Sequence, residues 1–395
     1  MRNFLQLLKD EVVLAAATVL AVLSAFLIHP DLEYVGYVDF RTLGLLFCLM
    51  AVMGGFQRLG FFRRVAQGLL RKVGASSVRV ALVLVLLAFF FSMLITNDVG
   101  LITFVPFTFT VLELLGEDVK QKMVIPVITL ETLGANLGSM LTPIGNPQNL
   151  YLYGKSGFSL GGFLLLMLPY TIMAGAMLIT WTVVMSKRRS VKAPEGPTRH
   201  MEEAFAQKEA DAPALSPKKK AALLAMYAAL FLLSLLTVAQ VMPFYVTLAV
   251  TVALVLLFDR KTLGKVDYFL LLTFVAFFIF IGNMGRIPAF SEFLARIVEG
   301  REVPVAILAS QAISNVPAAL LLSGFSSNVR ALIIGVNLGG MGTLIASMAS
   351  LISYKYVARL VPDQKGKYFG YFTITSLIFL AVMLLGHYGL SLLGN

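Results

Sequence analysis

Residues 131–153 read ETLGANLGSMLTPIGNPQNLYLY and lie inside a long apolar segment. They include glycines at 134, 138 and 145, prolines at 143 and 147, and amide side chains at 136, 146, 148 and 149. Such residues interrupt a membrane helix, and lipid cannot satisfy the backbone groups that are then left unpaired. The stretch therefore predicts a discontinuous helix, buried in protein or lining a wet cavity, that holds a substrate or ion near the middle of the membrane.

The same stretch occurs twice in the chain. Aligning residues 133–153 with 334–354 (IGVNLGGMGTLIASMASLISY) gives nine identities in 21 positions. Two further pairs keep the same order: residues 95–98 (ITND) match 313–316 (ISNV), and 39–58 match 267–286. This pattern indicates an internal duplication, which is common in secondary transporters.

The composition is that of a membrane protein. Of 395 residues, 58% are hydrophobic and 13% charged, with a mean hydropathy of +0.85, whereas soluble domains carry about 25% charged residues. The net charge of +11 could suggest a nucleic-acid partner, but its distribution follows membrane topology. We therefore predict contact with a lipid bilayer and no nucleic-acid partner.

The apolar runs predict an all-α polytopic membrane protein with nine crossings. The provisional spans are 11–28, 41–59, 123–153 (interrupted), 160–185, 220–239, 243–258, 267–285, 329–354 (interrupted) and 368–391. Two hairpins, 77–115 and 303–324, carry the paired polar motifs at their tips, and we expect both to be re-entrant. The predicted fold is an inverted-repeat secondary transporter with two re-entrant hairpins and two discontinuous helices.

The predicted domain order is a first transmembrane repeat at 1–185, a cytoplasmic linker at 186–219, an inverting span at 220–241 and a second repeat at 242–395. With the N-terminus inside, 26 of the 32 Lys and Arg residues face the cytoplasm. The positive-inside rule thus favours a cytoplasmic N-terminus and an outside C-terminus in the cell inner membrane.

Polar residues at the two tips and the two breaks form the predicted substrate and ion site. Carbonyl and hydroxyl oxygens suit a hard cation such as sodium, and the N-termini of half-helices offer N–H groups to an anion. The candidate residues are Thr96, Asn97, Asp98, Asn136, Gly138, Thr142, Pro143, Gly145, Asn146, Ser314, Asn315, Asn337, Gly339, Thr343 and Ser347. For sodium we select Asn97, Asp98 and Asn315.

Asp98 and Glu131 are the predicted coupling residues. Intramembrane carboxylates usually bind a cation or carry a proton. The second repeat has Val316 and Leu332 at the matching positions, so a purely architectural need is disfavoured. Two other roles remain open: Asp98 could cap the second limb of its hairpin, and Glu131 could be a hydrogen-bonded structural acid.

Motifs for chemical catalysis are absent from the sequence. It contains no phosphate loop, nucleophile elbow or metal motif. We therefore predict that the protein is not an enzyme and needs no cofactor beyond a coupling sodium ion or proton.

Four motifs together resemble the ion transporter superfamily, which includes arsenite permeases, sodium/proton antiporters, citrate transporters and divalent anion/sodium symporters. They are TNDVGLITFVP (96–106), LGANLGSMLTPIGNPQNL (133–150), SNVPAALLL (314–322) and NLGGMGTLIAS (337–347). The resemblance implies an inverted-repeat transporter in which hairpin tips and broken helices meet around the substrate. For the dicarboxylate branch, the resemblance implies the motif Ser-Asn-Thr at both hairpin tips. This chain instead has Asp98 and Val316 at the third position of the two motifs. The Asn-Asp tip is more similar to arsenite permeases.

Two function classes follow. The first is a permease for a small anion, either a carboxylate or an inorganic oxyanion, coupled to sodium or protons. The second is a cation/proton antiporter of the same fold, favoured by Asp98 and Glu131. A scaffold or receptor is disfavoured because it would not need duplicated helix breaks. A homodimer is one option for the assembly.

Overall fold

The computed structural model describes residues 11–73, 76–189 and 215–393. Within these ranges every regular element is helical and no strand occurs, which confirms the all-α prediction. Six of the described helices are long and apolar enough to cross a membrane, and several shorter apolar helices accompany them. The chain is therefore a multi-pass membrane protein.

The described residues before 190 form nine helices. They are α1 Val12–Leu27, α2 Glu33–Tyr37, α3 Phe40–Arg58, α4 Phe61–Val73, α5 Ser77–Phe91, α6 Asn97–Leu114, α7 Glu117–Ser139, α8 Pro147–Ser156 and α9 Leu160–Arg188. Their starts follow the local sequence: Asp39 caps α3 by accepting from the backbone N–H of Thr42, and Pro147 sits in the first turn of α8, where a missing N–H costs little.

The helices after residue 214 repeat this order. They are α10 Pro217–Val238, α11 Phe244–Phe258, α12 Tyr268–Gly285, α13 Pro288–Val298, α14 Glu302–Ile313, α15 Asn315–Ser323, α16 Val329–Gly339, α17 Met348–Leu360 and α18 Lys365–Leu393. Short 3-10 turns lie at Arg260–Lys265, Leu344–Ala346 and Pro362–Gln364. No described helix of the first set corresponds to α10.

Helix breaks occur where the sequence predicts them. Helix α7 ends at Ser139 and α8 begins at Pro147, while α16 ends at Gly339 and α17 begins at Met348. Most of the expected linker lies outside the described residues. The division into repeats, the re-entrant hairpins and the number of crossings stay predictions.

Helix α7 is the centre of the fold. Its residues are buried almost without exception from Met123 to Ser139, and it packs against α5, α6, α9, α17 and α18. Long helices α9 and α18 lie farther out and bury only about a third of their apolar windows. The first break therefore begins in the most enclosed part of the protein, where polar groups must find protein partners.

Two pairs of helices pack between the two sets. Helix α1 contacts α12, and α11 contacts α3. Glycines allow the segments that follow α1 and α11 to lie close to the same two helices: a Cβ added at Gly282 of α12 would clash with the ring of Tyr37, and one at Gly54 of α3 would lie 2.8 Å from Cβ of Lys265. Each residue of one contact lies 228 positions from its counterpart in the other, so the packing has the same internal symmetry as the sequence.

Two ion pairs follow the same symmetry. Arg58 pairs with Asp259, which also accepts a 2.9 Å hydrogen bond from the hydroxyl of Tyr227. Arg286 pairs with Asp31 at 2.6 Å, and this hydrogen bond lowers the pKa of the Asp31 carboxyl below its usual range. Both arginines therefore tie the end of one helix to a loop that follows its packing partner.

Candidate functional site

The tip of the first hairpin is bonded to the first helix break. The backbone N–H of Asn97 donates to the carbonyl oxygen of Gly145 at 3.1 Å. The side-chain Nδ2 of Asn97 donates to Oδ1 of Asn136 at 3.0 Å, and its Oδ1 accepts from the backbone N–H of Asp98 at 3.0 Å. Thr96 precedes them at the N-cap position of α6. Five candidate residues are thus brought together at one point.

Glycine is required at two positions of this junction. A Cβ at Gly138 would overlap the carbonyl oxygen of Phe89, and a Cβ at Gly145 would overlap that of Ser139. Pro143 is buried within the same break and carries no N–H that needs a partner. The break is therefore close-packed backbone rather than a loose loop.

Asn146 and Asn149 form hydrogen bonds with backbone groups that the first break leaves unpaired. Oδ1 of Asn146 accepts from the backbone N–H of Asn149 at 2.9 Å and so caps α8. The Nδ2 of Asn149 lies 3.3 to 3.4 Å from three carbonyl oxygens of the break, those of Ser139, Met140 and Thr142. The hydroxyl of Thr142 donates to the carbonyl oxygen of Met93 in the hairpin turn at 2.6 Å. Asn149 was absent from the predicted site, although the sequence shows an amide there.

The second tip and break leave hydroxyl oxygens without partners. Ser314 has a left-handed backbone with φ 72°, and Asn315 begins α15 with its Nδ2 2.8 Å from where a Cβ on Gly340 would lie. The Oγ of Ser314 and the Oγ1 of Thr343 are buried and have no hydrogen-bond partner among the described residues. A buried hydroxyl usually has a partner, so these two oxygens are candidate ligands for a bound ion.

The side-chain amide of Gln311 forms hydrogen bonds with backbone groups of the second break. Its Nε2 donates to the carbonyl oxygens of Gly339 and Met341 at 2.9 and 2.8 Å, and its Oε1 accepts from the backbone N–H of Thr343 at 2.8 Å. Gly339 must be small because a Cβ there would lie 2.5 Å from Oγ of Ser310. Gln311 was not among the predicted site residues, because the matching residue of the first hairpin is Met93. An amide one turn before the tip of an apolar helix was the available signal.

The two buried asparagines Asn136 and Asn337 connect the two breaks. Oδ1 of Asn136 accepts from the hydroxyl of Ser347 at 3.1 Å, and its Nδ2 donates to Ser350 at 3.2 Å. Oδ1 of Asn337 accepts from Nδ2 of Asn146 at 3.3 Å. Packing agrees with these bonds, because α7 contacts α17 and α8 contacts α16. Hydrogen bonds therefore connect the first tip and the two breaks in one cluster, and Asn315 of the second tip lies close to Gly340 of the second break.

Asp98 lies beside this cluster in a small cavity. The cavity is lined by Thr96, Asp98, Gln57, Lys265 and Asp267 among others. Asp98 lies in the first turn of α6, and the N-cap residue is Thr96. The alternative in which Asp98 is the N-cap of this helix is therefore wrong. A carboxylate in the first turn interacts favourably with the helix dipole. Its half-buried side chain faces a space that a cation or proton can enter.

Glu131 is fully buried and contacts the hairpin at another level. Its Oε1 accepts from the hydroxyl of Thr108 at 3.0 Å, three turns along α6 from Asn97. Its Oε2 has no partner among the described residues. Both alternatives for Glu131, a proton carrier or a hydrogen-bonded structural acid, are compatible with this half-satisfied carboxyl.

Together, the enclosed polar cluster and the apolar helices around it are typical of a membrane transporter. Residues 8–330 match the family described as citrate transporter. Because this match covers most of the chain, the protein belongs to the citrate transporter family.

Curated relatives agree with this family. The chain is 32% identical to the inner membrane protein YbiR of Escherichia coli over 336 residues, which cover 84% of each chain. It is 32% identical to the uncharacterized transporter MJ0456 of Methanocaldococcus jannaschii over 331 residues, covering 83% of this chain and 84% of that one. A shorter match, 38% over 135 residues, relates 33% of this chain to 26% of the silicon efflux transporter LSI3 of rice. The chain is thus a multi-pass membrane transporter.

Proposed function

We propose that this transporter is a secondary active permease that carries a small anion, a carboxylate or an inorganic oxyanion, with a sodium or proton gradient as its energy source. The observation that carries the proposal is the convergence of two hairpin tips and two helix breaks on one buried cluster, with Asn97 bonded to Asn136 and Asn315 against Gly340. Broken helices are the usual way in which membrane proteins hold an ion at depth.

The N-termini of α8 and α17 supply the anion side of the proposed site. Both helices begin inside the cluster, after Asn146 and Ser347 respectively. Their first N–H groups lack partners within the helix and carry the positive end of the helix dipole. An anion between the two breaks would be stabilised from both repeats without a buried Lys or Arg.

Side-chain and backbone oxygens supply the cation side. Sodium prefers several oxygen ligands, which hydroxyls, amides and freed carbonyls of a broken helix provide. The unpartnered hydroxyls of Ser314 and Thr343 favour a site at the second tip. Asn97, Asp98 and Asn315 stay our proposed sodium residues, with Asp98 and Glu131 as the groups that couple the gradient to transport.

The proposed topology has a cytoplasmic N-terminus and an outside C-terminus. The repeats at 1–185 and 242–395 then have opposite orientations, and one re-entrant hairpin enters from each side. We assign the protein to the cell inner membrane, and a relative named as an inner membrane protein supports this location. A homodimer remains part of the proposal.

A cation/proton antiporter is the second candidate. It is favoured by Glu131, a fully buried acid with one oxygen that has no partner among the described residues. In that case Asp98 and Glu131 would exchange a proton for a cation, and the cluster would bind no anion.

Uptake into proteoliposomes separates these candidates. Purified protein is reconstituted and tested with citrate, phosphate and arsenite under imposed sodium, proton and voltage gradients. A symporter accumulates one of these anions only with its coupling gradient. Sodium-driven proton movement without any anion dependence would overturn the anion proposal in favour of the antiporter.

A further inference from the structure

A second polar cavity lies between helix α4 and the outer limb α6 of the first hairpin. Its volume is about 280 Å³, which is enough for a small anion. The residues that the argument uses are Gln57, Arg63, Gln67, Ile102 and Thr103. None of the described residues that line this cavity is acidic.

Helix α4 turns a donor-rich face toward this cavity. Phe62, Ala66 and Leu70 anchor its apolar side in the core, and Gly60, with φ 70°, allows the chain to turn from α3 into α4. Arg63 and Gln67 are four residues apart and therefore lie on the same side of α4. Both line the cavity.

Gln67 gives a second reason, separate from the charge of Arg63, to expect a ligand in this cavity. Its side chain is only 6% exposed, and its Nε2 has no hydrogen-bond partner among the described residues. Buried amide donors are rarely left unpaired, so an acceptor is expected in the cavity. With a guanidinium on the same helix face, the acceptor that fits is an anion.

This cavity adjoins a smaller one at the tip of the first hairpin. The smaller cavity shares Gln57 and Ile102 with it and extends to Thr96 and Asp98. Where the two meet, Nε2 of Gln57 donates to Oγ1 of Thr103 at 3.2 Å. Gln57 and Ile102 therefore lie between the Arg63 cavity and the candidate site.

These donors belong to one repeat only. Extending the offset of 228 residues places Ser291 and Ala295 of α13 at the positions of Arg63 and Gln67. The amphipathic helix is therefore common to both repeats, whereas its donor pair is not, so the pair is not required by the architecture.

We propose that the cavity between α4 and α6 is an anion-binding vestibule in which Arg63 and Gln67 hold a small oxyanion or carboxylate before it reaches the hairpin tip. Its role in transport rests on the proposed function, whereas its anion binding can be tested without transport. The recognised chemistry is an oxygen anion with at least two acceptor atoms.

The test uses Ile102, which lines both cavities and is 41% exposed. In a Cys48→Ala background, Ile102→Cys is treated with a sulfonate-bearing and a trimethylammonium-bearing methanethiosulfonate. We expect the anionic reagent to react faster, and Arg63→Gln to lower the anionic-to-cationic rate ratio by about fivefold, because one nearby charge is removed.

Arg64 is the matched control. It is the next residue on α4, but its Nη2 donates to the carbonyl oxygen of Leu59 at 2.7 Å, and it does not line the cavity. Arg64→Gln should leave the rate ratio unchanged. Equal losses for Arg63→Gln and Arg64→Gln would show only a general surface potential and would overturn the proposal.

A protection experiment tests Gln67 and the source of the anion. Citrate or inorganic phosphate should slow the reaction of Ile102→Cys with an uncharged methanethiosulfonate, and Gln67→Leu should remove most of that protection. Protection by phosphatidylglycerol vesicles alone would assign the cavity to a lipid headgroup and reject the vestibule. A positive result without any anion uptake in proteoliposomes would retain the vestibule while rejecting the proposed function.

Discussion

Asn337 donates a hydrogen bond from Nδ2 to Oδ1 of Asn149 at 2.6 Å, and this bond joins the two helix breaks. The reciprocal bond runs from Asn136 to Ser350 at 3.2 Å. Each acceptor lies 201 positions from the other, as do the two donors. Each of these asparagines, at the end of the helix before one break, is therefore bonded to the helix that follows the other break.

Removing this connection should weaken the folded state. Asn337→Ala deletes both bonds to Asn146 and Asn149 and leaves the buried Oδ1 of Asn149 without this partner. We expect a loss of about 1 to 3 kcal/mol, seen as a lower thermal unfolding temperature in detergent. Asn328→Ala, at an exposed cap of α16, is the control and should cost about 1 kcal/mol. A smaller effect at Asn337 than at Asn328 would contradict the interpretation.

Alanine at the two hairpin tips should abolish transport. Asn97→Ala removes the bond to Asn136, and Asn315→Ala removes an amide that lies against Gly340. Both variants should still elute as folded protein on size-exclusion chromatography, because the hairpin helices keep their own backbone bonds. The measurement is uptake against substrate and coupling-ion concentration. Normal apparent affinities in both variants would place the site elsewhere.

Asp98→Asn should separate binding from accumulation. The amide has nearly the same shape and fits the first turn of α6, so the variant should fold, but it cannot exchange a proton for a cation. We expect substrate-protected thermal stability to persist while gradient-driven accumulation is lost. Glu131→Gln should give a weaker or pH-shifted defect.

Glu113, an exposed acid on the same helix that pairs with Lys120, provides the matched control for Asp98. Glu113→Gln should transport normally. Wild-type accumulation by Asp98→Asn would remove Asp98 from the coupling mechanism and leave that role to the backbone carbonyls of the two breaks.

The inverted topology predicts opposite accessibility for two serines. In a Cys48→Ala background, cysteine at Ser76 should react with an impermeant thiol reagent from the cytoplasm, and cysteine at Ser327 from the exterior. Both positions lie just outside helices, so the substitutions should not disturb packing. Labelling of both from the same side would be incompatible with inverted repeats.

The two symmetric ion pairs should differ in strength. Asp259 is buried and accepts from Arg58, Tyr227 and Thr262, so Asp259→Ala should destabilise the protein by about 3 to 5 kcal/mol. Asp31 is exposed to solvent and pairs with Arg286, so Asp31→Ala should have only a small effect. Thermal unfolding of the two variants checks the order, and equal losses would refute it.

Local sequence determined much of this protein. Apolar runs fixed where helices form, and Gly, Pro and amide residues in 131–153 and 334–354 fixed where two of them break, because backbone conformation and burial in lipid depend on neighbouring residues. The tip residues Asn97 and Asn315 were also identified from their repeated motif. The duplication could be recognised from the sequence alone, because aligning the two halves shows the repeated motifs.

Only the tertiary structure decided which partner each polar group has. Asn337 and Asn149 are 188 residues apart, and Arg58 and Asp259 are 201 apart, so no local pattern could pair them. Gln311 was not predicted because the matching residue of the other hairpin is Met93. Arg63 and Gln67 of α4 line a cavity because α6 lies opposite them, which no local pattern could show. The physical reason is that a buried polar group forms its hydrogen bond with the partner that packing brings within about 3 Å. Which residue that is depends on how all the helices pack.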